Sequence, residues 1–286
     1  VEGADAAGIF SLGTLETGIE ARRFIDDHRP EHAVVVGGGY IGLEMAEAFA
    51  CVRGMKVTLL DKSPQVMNTF DPDMAELIGN AIRSIGTELR LGEGLTGFTS
   101  RDGRVSSVLT ENGEIPADMV IMGLGVRPNS FLAGKAGLKL SVRDSILADE
   151  TMATSHPAVW AAGDCASTTH LVSGKPFWVA LGTVANKMGR VAGISMGGGS
   201  ASLRGVLGTA MSKHCDYEVA RTGLSEKEAA ELGLAFSSAV IKTKTRAGYY
   251  PGAEPMHVKL VGEDGTGRLL GGQIVGGQGA AKRIDI

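Results

Sequence analysis

Gly37, Gly39 and Gly42 hold the first, third and sixth places of Gly37-Gly38-Gly39-Tyr40-Ile41-Gly42. The segment follows an apolar, β-branched run at 33–36 and precedes a helical pattern at 43–52. That context gives each glycine a job. The first permits a tight turn, the second lets the backbone approach a pyrophosphate, and the third lets helix and strand pack closely. A helix N-terminus at this point offers free N–H groups and partial positive charge to phosphate. A second apolar run at 57–60 ends at Asp61, 24 positions after Gly37. A carboxylate there accepts hydrogen bonds from ribose hydroxyls and repels a 2′-phosphate. The expected ligand is NAD(H); Lys62 beside the acid leaves NADPH open. A purely structural glycine turn is the alternative, and the joint presence of strand, loop, helix and acid argues against it.

The elements needed to position these residues are readable on both sides. Helical spacing predicts a helix over 14–27, ended by His28-Arg29-Pro30. Runs at 33–36 and 57–60 with the helix 43–52 between them make a βαβ unit. Asp71 is the expected N-cap of a helix with Pro72 at its first position and Gly86 at its end. Strands are expected at 87–91, 104–110 and 114–116, with a hairpin turn at Asn112-Gly113, and at 119–122. Short strands are expected at 146–148 and 159–162, the second ending at Gly163-Asp164, followed by a helix over 179–196. The run 197–200 reads as a linker. Beyond it strands dominate, at 208–213, 217–222, 235–243, 256–261 and 269–275. One helix interrupts them, opened by the capping box Ser225 to Glu228 and stopped by Gly233. The fold class is α/β in the first two-thirds and α+β in the last.

Bulk properties narrow the function classes. The chain has 286 residues, a net charge of −4, 43% hydrophobic and 21% charged residues. There is no global basic field to recruit nucleic acid, and no apolar run of membrane-spanning length. Cys51, Cys165 and Cys215 stand far apart in sequence, with no metal-ligand spacing. They suit a reducing, cytoplasmic setting and are read as structural. The His214-Cys215 neighbours are given no catalytic weight.

Several motifs in order resemble one family. Gly37 to Glu44, the Gly125-Val126-Arg127-Pro128-Asn129 turn, Ala161-Ala162-Gly163-Asp164, Ala180 to Lys187 with Gly189-Arg190, Thr222-Gly223-Leu224-Ser225 and Tyr249-Tyr250-Pro251-Gly252 are similar to FAD-dependent pyridine nucleotide–disulfide oxidoreductases. The branch resembled holds coenzyme A-disulfide reductases, persulfide reductases, NADH oxidases and NADH peroxidases. The resemblance implies a Rossmann-like NAD(H)-binding domain at 29–148 after a connecting segment at 1–28. It further implies the returning part of an FAD domain at 149–200 and a dimerisation domain at 201–286. Tyr40 would cover the flavin face and swing aside for nicotinamide. Ile41 and Glu44 would line the nicotinamide pocket, and Gly125 would pack its backbone on the bound NAD. Gly163 and Asp164 would meet the flavin ribityl or pyrophosphate, and Ala180, Leu181, Gly182 and Thr183 its pyrimidine end. Tyr249 or Tyr250 would orient substrate, or else be an ordinary aromatic before a turn.

The implied reaction passes hydride from NADH to FAD and on to a cysteine-linked disulfide or persulfide, with a homodimer expected. The acceptor would be a small molecule such as coenzyme A disulfide; oxygen or peroxide is the acceptor in the oxidase and peroxidase alternative. A non-catalytic NAD(H)-binding dimerising module is the alternative of another class. The family's first flavin loop, its redox cysteine and its last helices are expected outside these residues. The chain, which begins at Val1, therefore reads as a fragment unable to turn over a disulfide alone, and a following rhodanese-like domain stays open.

Overall fold

The computed structural model describes residues 1–285. Five short strands form a parallel sheet in the order β1 (Ile9–Phe10), β8 (Met119–Met122), β2 (His32–Val36), β3 (Lys56–Asp61) and β4 (Glu88–Leu91). Helix α1 (Leu15–His28) precedes β2, α2 (Tyr40–Glu47) connects β2 to β3, and α3 (Pro72–Ser84) connects β3 to β4. The near-continuous apolar character of β2 follows from burial on both faces. Ala33 and Val35 pack with Leu43, Ala46, Met74 and Ile78 of the helices, while Val34 and Val36 pack with Phe98, Val105, Val108 and Ile115. The second group belongs to an antiparallel meander of β5 (Leu95–Arg101), β6 (Arg104–Thr110) and β7 (Gly113–Pro116).

Strand β5 is absent from the sequence reading, yet a turn signal marks it. Asp102 and Gly103, both at positive φ, join Arg101 to Arg104 as a two-residue hairpin loop. The turn near Asn112-Gly113 is present with Gly113 in the strand, paired to Thr110. The helix expected over 43–52 starts earlier, at Tyr40, and its last turn, Ala48–Val52, widens into a π-helix. Asp71 takes the N-cap position of α3 without capping it by its side chain. Its carboxylate instead accepts the Glu226 N–H at 3.0 Å and the Gln273 amide at 2.6 Å.

The next segment carries α4 (Phe131–Lys135), the two-residue pair β9 (Thr168–Thr169) and β10 (Pro176–Phe177), and α5 (Gly182–Met196). The strands expected at 146–148 and 159–162 are not strands. Ile146 bridges singly to Leu140 and Ala166, and Trp160 to Ala153, because no continuous partner strand runs beside them among the described residues. They still form a core: Ile146, Met152, Ala161 and Ala166 pack against Val184, Met188 and Val191 of α5. Helix α5 begins three residues later than expected, leaving Ala180 and Leu181 in extended approach.

The last third is an antiparallel sheet in the order β11 (Ala210–His214), β12 (Tyr217–Gly223), β15 (Leu269–Gly276), β14 (Pro255–Glu263) and β13 (Phe236–Lys244). Helix α6 (Glu226–Glu231) opens on the expected capping box, Ser225 Oγ accepting from the Glu228 N–H and Glu228 reaching back to the Ser225 N–H. Gly233 follows at φ +71°. Val219 and Val275 of this sheet join the core under α2 and α3, so the sheet docks on the nucleotide-binding half. Buried ions reinforce that contact. Lys259 Nζ lies 2.8 Å from Asp73, 3.0 Å from Glu226 and 3.4 Å from Asp71. Among the described residues no helix is long and apolar enough to cross a membrane.

Candidate functional site

Strand order places the glycine loop at a switch point. From β2 the chain moves through α2 to β3 on one side, while β8 and β1 pair on the other. Ligands of such sheets bind in the crevice at the strands' carboxyl ends, and here that crevice is walled by Gly37 after β2 and Gly123 after β8. The two backbones touch. A Cβ on Gly37, which sits at φ +110°, would lie 2.3 Å from the Gly123 carbonyl oxygen. A Cβ on Gly42 would lie 1.8 Å from the Gly37 carbonyl oxygen, so only glycine lets α2 start this close to β2. Gly39 differs: it is exposed, nothing stands within 4 Å of a Cβ there, and it is the N-cap of α2. The N–H groups of Gly39, Tyr40 and Ile41 have no acceptor among the described residues. Gly37 and Gly42 thus sit in the tight packing their spacing predicts, and Gly39 leaves its backbone open.

Asp61 is already part of this loop. Its Oδ2 accepts the Gly38 N–H at 2.6 Å and its Oδ1 accepts the Ser63 N–H at 2.7 Å. The carboxylate fixes the glycine turn and stands at the end of β3, where a ribose would meet it. Gly125, at φ +83° with nothing near its Cβ position, presents bare backbone on the facing loop.

Tyr40 packs its ring against the core, and its hydroxyl is buried without a partner among the described residues. Burial pushes the phenol above its ordinary range, against the pull of Thr69 and Arg221. Ile41 is 36% exposed, which for a residue in the first turn of α2 leaves its side chain available to a ligand. Glu44 is exposed and accepts from Ser212 Oγ at 3.1 Å. Ser212 is a contact the sequence reading missed; 168 residues separate it from Glu44, and no local signal marks it.

A second open helix end lies at α5. Gly163, at φ +82°, comes within 3.7 Å of the Ala185 Cβ as measured from its own Cβ position, which sets Asp164 beside the first turn of α5. Trp178 Nε1 donates to the Asp164 carbonyl at 2.7 Å and holds the approach to the helix. The Asp164 side chain is exposed, Leu181 is an N-cap without a side-chain cap, and the N–H groups of Leu181, Gly182 and Thr183 have no acceptor among the described residues. Orphaned donors at a fifteen-residue helix N-terminus suit a group that gains negative charge. These residues thus fit a flavin's polar end. Cys165 Sγ contacts the Ala162 carbonyl at 3.4 Å. Tyr249 and Tyr250 are 90% and 57% exposed beyond β13, with Arg246 stacked 5.8 Å from the Tyr250 ring.

The glycine crevice and the second helix end have the geometry of a dinucleotide-binding α/β protein. Comparison with known proteins goes further. The family model described as pyridine nucleotide-disulphide oxidoreductase matches residues 2–189, and that family's dimerisation domain matches residues 209–286. The chain belongs to the pyridine nucleotide-disulphide oxidoreductase family. It is 39% identical over its whole length to a CoA-dependent NAD(P)H sulfur oxidoreductase of Pyrococcus furiosus, covering 64% of that protein. It is 37% identical, again over its whole length, to an NADH oxidase of Methanocaldococcus jannaschii, covering 63% of it. An NAD-dependent persulfide reductase from A. fulgidus has the same fold, with a TM-score of 0.96 at 39% identity over all of this chain and 52% of that one. The chain thus spans just under two-thirds of the length of these curated relatives.

Proposed function

We propose that the chain is the nicotinamide-binding, flavin-proximal and dimerising portion of an FAD-dependent NAD(P)H oxidoreductase, with a disulfide or persulfide as acceptor. One observation carries the reading: two helix N-termini with unpaired N–H groups, one flanked by Asp61 and one by Asp164, on a single family architecture. In this reading residues 29–148 hold NAD(H), residues 149–200 meet FAD, and residues 201–286 pair two subunits.

The residues divide the work. Gly39, Tyr40 and Ile41 donate backbone N–H groups to the pyrophosphate, while Asp61 accepts from the adenosine ribose and disfavours a 2′-phosphate. Tyr40 leaves its partnerless burial to admit the nicotinamide, and Glu44 exchanges Ser212 for the carboxamide N–H. Leu181, Gly182 and Thr183 donate to the pyrimidine end of the flavin, and Asp164 accepts from its hydroxyl-bearing chain. Bound FAD would supply hydride acceptance from the nicotinamide and electron transfer to a cysteine-linked acceptor. Cys51, Cys165 and Cys215 are assigned no part in that electron path in this reading. The names of the P. furiosus and A. fulgidus relatives support a sulfur acceptor; the M. jannaschii relative supports oxygen as the second reading.

The test is NADH consumption by the intact protein with coenzyme A disulfide, a persulfide, peroxide or oxygen supplied in turn. Preferential turnover of a sulfur acceptor is the expected result. Preferential oxygen turnover selects the oxidase. NADH binding without turnover of any acceptor leaves only a nucleotide-binding, dimerising module and overturns the proposal.

A further inference from the structure

Cys51 and Cys215 are 164 residues apart in sequence, yet their sulfurs lie 3.5 Å apart. Both positions are unusual. Cys51 is exposed and sits within the π-helical turn that ends α2, a rare geometry that often accompanies function. Cys215 forms the tip of the β11–β12 hairpin at φ +54°. Residues there are commonly glycine or asparagine, because a Cβ in the left-handed region costs energy. At this tip the Cys215 side chain meets the Cys51 thiol and the Glu47 carboxylate. Closing from 3.5 Å to a bonded separation of about 2 Å asks for a movement of roughly 1.5 Å, within reach of a hairpin tip against a helix end.

We propose that Cys51 and Cys215 form a dithiol site that reacts with small-molecule disulfides and, once oxidised, covalently ties the nucleotide-binding half to the dimerisation sheet. The inference stands apart from the acceptor chemistry proposed above. Exposed Cys51 is the entering group. Its thiolate attacks one sulfur of a disulfide R–S–S–R, forming the mixed disulfide Cys51–S–S–R and expelling RS⁻, which takes up the Cys51 proton as RSH. Cys215 then loses its proton and attacks the Cys51 sulfur, expelling the second RS⁻ as RSH. Two thiols lose two electrons and two protons, and the small disulfide gains both. The order of attack follows from the surroundings. Burial, the neighbouring Cys51 thiol and the Glu47 carboxylate push the Cys215 thiol up to about 12, so it waits as a thiol while Cys51 reacts. The bond would form three residues from Ser212, the partner of Glu44, and would hold that contact in place.

The intact protein is incubated without oxygen with glutathione disulfide as the probe, alkylated under native conditions, digested and analysed by mass spectrometry. The expected result is a joined pair of peptides containing Cys51 and Cys215, two hydrogens lighter than their sum and separated by dithiothreitol. In Cys215→Ser the glutathione adduct should remain on Cys51. Full alkylation of both cysteines in the wild type, or a lasting glutathione adduct on Cys51 with no cross-link, overturns the proposal.

Discussion

Asp61 Oδ2 accepts the Gly38 N–H at 2.6 Å, so the acid proposed to select the nucleotide also holds the loop proposed to bind its phosphates. In Asp61→Asn one oxygen remains for the Gly38 N–H, the Ser63 N–H loses its acceptor, and the charge that favours a free 2′-hydroxyl is lost. Loss of about 1.5 kcal/mol from a charge-assisted hydrogen bond corresponds to roughly a tenfold weaker NADH affinity. NADH titration followed by tryptophan fluorescence should show that loss, and NADPH affinity should stay level or rise. Equal loss for both nucleotides would assign Asp61 to loop structure alone.

Gly42 and Gly39 should answer differently to the same added methyl. A Cβ at position 42 meets the Gly37 carbonyl oxygen at 1.8 Å. Gly42→Ala must push α2 off β2, at a cost of about 1–3 kcal/mol, and lower the thermal midpoint. Gly39 has an ordinary φ of −84° and open space around it. Gly39→Ala should leave the melting curve in place and weaken NADH binding, because the methyl would stand in the proposed path of the pyrophosphate. A stable Gly39→Ala with unchanged affinity would place the nucleotide elsewhere.

How far these roles were legible in the sequence depends on how local they are. The glycine turn, the position of Asp61 at the end of β3 and the Ser225 capping box involve groups close in sequence or joined by one βαβ unit, so spacing alone marks their local structure. The contacts of Gly37 with Gly123, of Glu44 with Ser212 and of Cys51 with Cys215 join separate parts of the fold. Periodicity carries no information about such pairs. The segments 146–148 and 159–162 differ from the strands expected there for a related reason: an apolar run shows burial, but a strand also needs a neighbour with which to exchange hydrogen bonds. The Asp71 side chain likewise went to α6, across the chain, instead of to the helix it begins.

Lys259 is 97% buried as a side chain among Asp71, Asp73 and Glu226. Burial alone would push its ammonium down, but the three carboxylates outweigh it and the net direction is up. Lys259→Met would strand these acids without their cation. Breaking a buried ion cluster in this way costs about 3–5 kcal/mol, so urea denaturation should show a lower midpoint. An unchanged midpoint would mean that the sheet docks on α3 through its apolar core alone.

Glu93 gives a pH-dependent signature. The Arg90 guanidinium, at 2.8 Å, and the Thr110 hydroxyl hold its carboxyl down to about 2 from the usual 4.5. A lowered folded-state value contributes stability that is present above 4.5 and lost as pH falls toward 2. The difference in thermal midpoint between wild type and Glu93→Gln should therefore be largest near neutrality and shrink across that window. A constant difference down to pH 2 would show that the Arg90 pair does not control the titration.

We propose that the two open helix ends serve one electron path, the α2 end at Gly39 to Ile41 holding the pyrophosphate of NADH and the α5 end at Leu181 to Thr183 holding the flavin. The most direct test is anaerobic titration of the purified intact protein with NADH, followed by visible absorption. The account predicts a yellow protein whose flavin absorption falls with each addition of NADH, and a Gly39→Ala variant that keeps its colour but needs more NADH to lose it. A colourless protein, or a yellow one indifferent to NADH, would contradict it.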